Sequence, residues 1–155
     1  MSAAAVSRET KRSAGDDAAA LVVARLEEAG ATLMALPHAG FSTAARGYWP
    51  DMLRDSFIDM PSAERARPVT PDAARISRME ETFGWLAFIP ASDAALRRVV
   101  GYRALINPLT DRHVFPWRRV GKRVGADYRA VQRWHAKAIG IIVAALAARG
   151  FIFGS

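Results

Sequence analysis

The tightest constraint on this chain lies in one 23-residue stretch, PWRRVGKRVGADYRAVQRWHAKA, from Pro116 to Ala138. The apolar Val120 is followed at once by Gly121, the smallest side chain, and Val124 stands directly before a second glycine, Gly125. That order suits two helices that cross closely at Gly121 and are joined at Gly125, where a positive φ carries no steric penalty. The second helix must then bury the residues six and nine positions beyond that glycine, which are Val131 and Trp134, and Asp127 stands where its cap belongs. Together these six core positions predict a helix-turn-helix over 116–138. Trp134 is bulkier than the Ile or Leu expected in its place, so the helix pair should be slightly spread.

The remaining apolar residues also recur at helical spacing. Val22, Leu26, Ala29, Leu33 and Leu36 form one stripe of a helix that starts near Asp16 and Asp17 and stops at Pro37. Ile76, Met79, Phe83 and Leu86 form another between Asp72 and Ile89, and Leu96, Val99, Val100 and Leu105 a third, with Ser92 as its expected N-cap and Asn107-Pro108 as its stop. A loop is expected from there to Pro116. Pro50 suits the start of a short helix carrying Met52, Leu53, Phe57 and Ile58, after an aromatic-pinned loop over 37–50. No alternation of period two runs long enough for a strand, so the expected fold class is all-α: a helical domain with a C-terminal helix-turn-helix whose second helix is long. The domain reading is a flexible arm over 1–14, an N-terminal helical module over 15–60 for partner or dimer contacts, a Pro-rich linker over 61–71, and a helical domain over 72–155.

Several classes of protein are excluded at this stage. With no cysteine there is neither a disulfide framework nor thiol chemistry, and a hydrophobic content of 51% is ample for a packed core. The longest apolar run, Ala138 to Ala148, has eleven residues, too few for a membrane span. Residues 1–14 carry four charged side chains and no apolar core, so a cytoplasmic protein without a secretory signal is expected.

The net charge of +7 is unevenly placed: residues 1–96 hold 10 basic and 13 acidic side chains, residues 97–155 hold 12 basic and 2 acidic. That asymmetry assigns a polyanion to the C-terminal third. A helical wheel sharpens the point. With Val131 at the origin, Trp134, Ala138 and Ile142 fall within about 60° of it as a buried face. The opposite arc holds Gln132, Ala136, Arg129, Arg133 and Lys137. In a helix-turn-helix the second helix enters the major groove, where Arg129 and Arg133 can donate to guanine O6 and N7 and Gln132 can pair with adenine N6 and N7. Arg118, Lys122 and Arg119 on the first helix, with Lys137 further along the second, are expected on phosphates of double-stranded DNA.

Nothing else in the sequence assembles a site. His38, His113 and His135 are far apart and are expected to be structural or solvent-facing, and no His, Asp or Glu cluster has metal-ligand spacing. Glu80 and Glu81 adjoin and so point apart. The GxxxxG spacings lack the Lys-Ser/Thr of a phosphate loop. Trp49, Trp85 and Trp117 are expected in the core. No catalytic residues, cofactor or metal are expected, and the chain is not read as an enzyme.

The leading helix (Leu21 to Leu36), the Tyr48-Trp49-Pro50 element, the RMEETFGWL helix (Arg78 to Leu86) and the segment Pro116 to Ile142 together resemble an uncharacterised helix-turn-helix family, a domain of unknown function found in alphaproteobacteria, their phages and prophage-like elements. The resemblance covers about residues 20–148. The C-terminal segment is also similar to region 4 of sigma factors, which binds promoter DNA and contacts RNA polymerase. The resemblance implies a nucleoid-associated transcription regulator, an activator of phage-like or gene transfer agent genes, with RNA polymerase or another transcription factor as partner and homo-oligomerisation as a further expectation. Carried over, it assigns base reading to Tyr128, Arg129, Gln132 and Arg133. Other sigma regions are not evident, which argues against a complete sigma factor. Two alternatives remain: the DNA-recognition subunit of a phage packaging machine, similar to small terminase subunits, and a basic helix that docks protein only. A coiled-coil heptad would favour packaging, and only amphipathic helices of about two to four turns are expected.

Overall fold

The computed structural model describes residues 2–36 and 69–154. The aromatic loop, the helix after Pro50 and most of the Pro-rich linker expected from the sequence lie outside the described residues. Those described are mostly helical, with one minimal hairpin as their only sheet.

Helix α1 spans Ala3–Ala35, and its expected stripe is in place: Val22, Leu26, Ala29 and Leu33 are all buried. It ends as Leu36 turns extended at ψ 139°, the conformation that a following proline imposes. The sequence-based expectation differs at the other end. Where an arm is expected over 1–14, the backbone is helical from Ala3, although residues 2–17 are all exposed. Alanine-rich sequence propagates a helix already anchored further along, and with no buried face to make, it shows no apolar period. At 33 residues, α1 is also far longer than the two to four turns expected.

Helix α2 (Ala73–Gly84) begins under Asp72, whose carboxylate accepts from the Arg75 backbone N–H at 2.9 Å. It packs antiparallel on α1, since Arg78 reaches Glu28 and Arg25 reaches Thr82. Met79 and Phe83 face inward, and a 3-10 turn over Trp85–Phe88 carries Leu86 into the same core. Helix α3 (Ala94–Ala104) follows a second 3-10 turn over Ala91–Asp93. Ser92 sits inside that turn, and the helix cap expected there falls one residue later, at Asp93. Backbone meets backbone where α1 crosses the end of α3: a Cβ on Gly30 would overlap the carbonyl of Ala104.

The expected loop after Asn107 is instead a tight antiparallel hairpin. Strand β1 (Ile106–Asn107) pairs with β2 (Arg112–His113), with Ile106 opposite His113 and Asn107 opposite Arg112. The Asn107 side chain accepts from Leu109 N–H, and Asp111 takes the left-handed φ of 57° that closes the turn. Strands of two residues are too short to show an alternating pattern. Val114 and Phe115 then anchor the chain in the core before helix α4 (Trp117–Val124) and helix α5 (Tyr128–Ala148). Among the fully buried side chains are Phe83, Phe115, Leu33, Leu86, Ile89, Leu105, Ile142 and Val99, drawn from α1, α2, α3, α5 and the connections between them. No helix among the described residues is long and apolar enough to cross a membrane.

Candidate nucleic-acid interface

The connection between α4 and α5 is fixed by backbone chemistry. Gly125 has φ 73°, and the Gly121 carbonyl accepts from both the Gly125 and Ala126 N–H groups, the latter at 2.9 Å. This left-handed termination brings two donors to the Gly121 carbonyl in the last turn of α4. Gly121 is needed for a different reason: a Cβ there would lie 2.5 Å from the Ala126 carbonyl oxygen. Val120 and Val131 are fully buried, and Val124 and Trp134 are half-buried against the same core. Asp127 occupies the cap position of α5, but its carboxylate makes no capping hydrogen bond.

The two sides of α5 differ as the helical wheel predicts. Val131, Ala138, Ile139, Ile142 and Leu146 are buried. Arg129, Gln132, Arg133, Ala136 and Lys137 are all exposed. No acidic side chain lies between Tyr128 and Ala148. On α4, Arg118 and Lys122 are exposed and border an open hollow of about 460 Å³ that continues to Ala126 and Tyr128. Five of the six expected basic contacts, all but Arg119, are thus exposed on α4 and the first half of α5, as is Gln132.

Arg119 is placed differently. Its guanidinium lies 4.7 Å from the Phe115 ring centre and donates to the Val114 carbonyl at 3.3 Å, and the residue is half-buried. Neighbours on a helix point about 100° apart, and this separates Arg119 from Arg118. Tyr128 is half-buried too. The Arg118 guanidinium lies 5.0 Å and that of Arg129 5.7 Å from its ring centre, and Arg129 Nε–H donates to its hydroxyl at 3.2 Å. The structure also adds a cation that spacing does not reveal: Arg98 on α3 is exposed and donates to the Arg123 carbonyl at the end of α4. Only the packing of α3 on α4 brings it there.

Behind this surface, a polar cluster joins α1, α3, the hairpin, α4 and α5. His113 places Nδ1 2.9 Å from the Arg103 carbonyl and Nε2 3.4 Å from Glu27. Arg103 donates to the Phe115 carbonyl at 3.1 Å and lies 4.0 Å from the Trp117 ring centre, and Trp117 meets His135 edge to face at 5.1 Å. A cavity of about 60 Å³ lies among them. Burial, then the charges of Arg103 and His113, push His135 down to about 4. Burial and Arg103 also lower His113, against the opposing pull of the backbone hydrogen bond and Glu27. His113 and His135, distant in sequence, therefore share one pocket, while His38 lies outside the described residues. Among the described residues, no three His, Asp or Glu side chains group as a metal site. Trp85 is buried and Trp117 half-buried, and Trp49 lies outside the described residues.

A family model described as a domain of unknown function (DUF6362) matches residues 34–142, and the chain belongs to that family. The match takes in the hairpin, α4 and the first two-thirds of α5, and leaves out α1 as far as Leu33. No curated protein and no solved structure matches the chain.

Proposed function

We propose that α4, the Gly125 turn and the first half of α5 work as a helix-turn-helix that binds double-stranded DNA, and that the chain is a transcription regulator without catalytic activity. The observation that carries this reading is the sorting of α5. Its inner face is apolar and buried, while its outer face presents Arg129, Gln132, Arg133 and Lys137 with no acid among them. Arg129 and Arg133 suit guanine edges and Gln132 suits adenine. Arg118, Lys122 and Lys137 suit phosphates, which set register without reading sequence. Arg119 turns to the Val114 carbonyl and the Phe115 ring and is left out of this contact set.

The likeness of the segment to region 4 of sigma factors favours transcription over other uses of DNA. RNA polymerase or another transcription factor is the matching protein partner, phage-like or gene transfer agent genes are the matching targets, and the nucleoid is the place of action. The unexpected length of α1 favours a second reading, a packaging subunit that recognises DNA and assembles through helices. Against it, the exposed half of α1 carries Val6 as its one large apolar side chain, too little for a coiled-coil seam.

A genome-wide map of DNA crosslinked to the protein in its host, made beside an Arg129→Ala/Arg133→Ala variant, tests this. Transcription predicts sharp peaks upstream of operons that the variant loses. Peaks confined to a packaging start site would replace it with the packaging reading. An empty map with the protein expressed would overturn DNA binding and leave the basic face to a protein partner.

A further inference from the structure

Tyr128 falls in a base-reading position by resemblance, yet its contacts are with two arginines of its own chain. The guanidiniums of Arg118 from α4 and Arg129 from α5 both lie within 6 Å of its ring centre, at 5.0 and 5.7 Å. At that range the negative face of the ring attracts each cation and offsets their mutual repulsion. The hydroxyl adds direction, because it accepts from Arg129 Nε–H at 3.2 Å. We propose that Tyr128 is a positioning residue: it reads no base itself, and it presents Arg129 to the major groove while steadying Arg118 for a phosphate. This rests on the DNA-binding reading above.

The chemistry follows from the guanidinium's five donors. A guanine edge takes two parallel N–H donors, either the two terminal nitrogens or Nε with one of them. With Nε committed to the Tyr128 hydroxyl, the two terminal nitrogens remain as the fork, so one of the two approaches is selected before DNA arrives. A free arginine also gives up rotamer entropy when it is fixed on a base. Here part of that ordering is already complete, which favours tight and selective contact. Arg133, one turn further along, has no equivalent aromatic neighbour among the contacts described, so the two guanine-reading arginines should differ in how sharply they discriminate.

The test compares the full chain with Tyr128→Phe, Arg129→Ala and the double variant in selection from a random duplex library, with salt titrations and thermal melts alongside. Tyr128→Phe keeps the ring and removes only the hydroxyl. Its preference should fall roughly fivefold at the same base pair that Arg129→Ala flattens, with melting temperature and salt slope unchanged. The double variant should match Arg129→Ala alone. Tyr128→Ala, which removes the ring as well, should weaken binding to every sequence by releasing Arg118. A loss at a different base pair, or an added loss in the double variant, would mean that Tyr128 reads its own base and would overturn the proposal. Side-chain NMR of the DNA-free protein gives a separate readout: the Arg129 Nε–H should exchange faster in Tyr128→Phe. Absence of any binding by the unmodified chain would sink the DNA reading, whereas binding with an Arg129 Nε–H indifferent to the hydroxyl would sink only the positioning role.

Discussion

The two long helices, α1 and α5, each bury one part and expose another, and the difference between their exposed parts is instructive. The first half of α1 offers Arg8, Glu9, Lys11, Arg12, Asp16 and Asp17, three charges of each sign, along a stretch of helix that is exposed throughout. The exposed face of α5 offers Arg129, Arg133 and Lys137 with no acid, on a helix held along its other side by the core. Mixed charge on a helix exposed all round suits a solvated surface, while cations of one sign on a rigid frame suit the polyanion proposed above. Exposure alone therefore says little. Sign and rigidity together make the distinction.

The comparison can be broken first at the anchored half of α1. Gly30→Ala forces a Cβ into the Ala104 carbonyl, backbone against backbone with no flexible side chain to yield. A loss of about 4 kcal/mol or more in denaturant unfolding is expected. A near-neutral result would show that α1 does not clamp α3 as described.

The inner side of α5 comes next, through pH. The folded state holds His135 near 4, below its ordinary 6.5, so the unfolded chain binds the proton more readily. Stability is complete above about pH 6.5 and falls as the pH drops toward 4, by about 3 kcal/mol in all. His113 is lowered as well and adds to the slope in the same sense. His135→Gln should flatten the stability profile over that window in thermal melts. A variant with the same pH slope as the parent would remove His135 from the account.

The outer side of α5 follows. Arg129→Ala/Arg133→Ala should cost roughly fifty- to hundredfold in affinity for a selected duplex, about 2.5 kcal/mol, with unfolding unchanged because both side chains are exposed. The smallest effect belongs to the exposed half of α1. Gly15 sits mid-helix with open space around its Cβ position, so Gly15→Ala should stabilise by about 0.5–1 kcal/mol and leave DNA binding alone.

What was legible in the sequence follows the range of the interactions involved. Val120, Gly121, Val124, Gly125 and Val131 form a local code, since each meets demands set by residues within about two turns: Val120 and Val131 are buried, Gly121 lies against the Ala126 carbonyl and Gly125 takes φ 73°. The sorting of α5 into buried and exposed faces is likewise a property of one helix. The hairpin at Ile106–His113 was hidden because four paired residues leave no period, although Asn107-Pro108 marks its turn. The inward turn of Arg119 depends on Phe115 and the Val114 carbonyl, which a wheel does not contain. The pocket shared by His113 and His135, and the approach of Arg98 to the Arg123 carbonyl, arise only when separate elements pack. The helix over 3–17 escaped because periodicity reports burial, and this segment buries almost nothing.

The central proposal is that the α4–α5 face, and not the exposed half of α1, binds a polyanion. Its most direct test is fluorescence anisotropy of a labelled duplex titrated with the purified full chain at rising salt, beside Arg129→Ala/Arg133→Ala/Lys137→Ala and, on α1, Arg8→Ala/Lys11→Ala/Arg12→Ala. With about five to seven phosphates neutralised, log K should fall against log salt with a slope of about −4.5 to −6. The α5 variant should weaken binding and make that slope shallower, and the α1 variant should reproduce the parent. No binding at low salt, or a slope that changes with the α1 charges and ignores those of α5, would contradict the account.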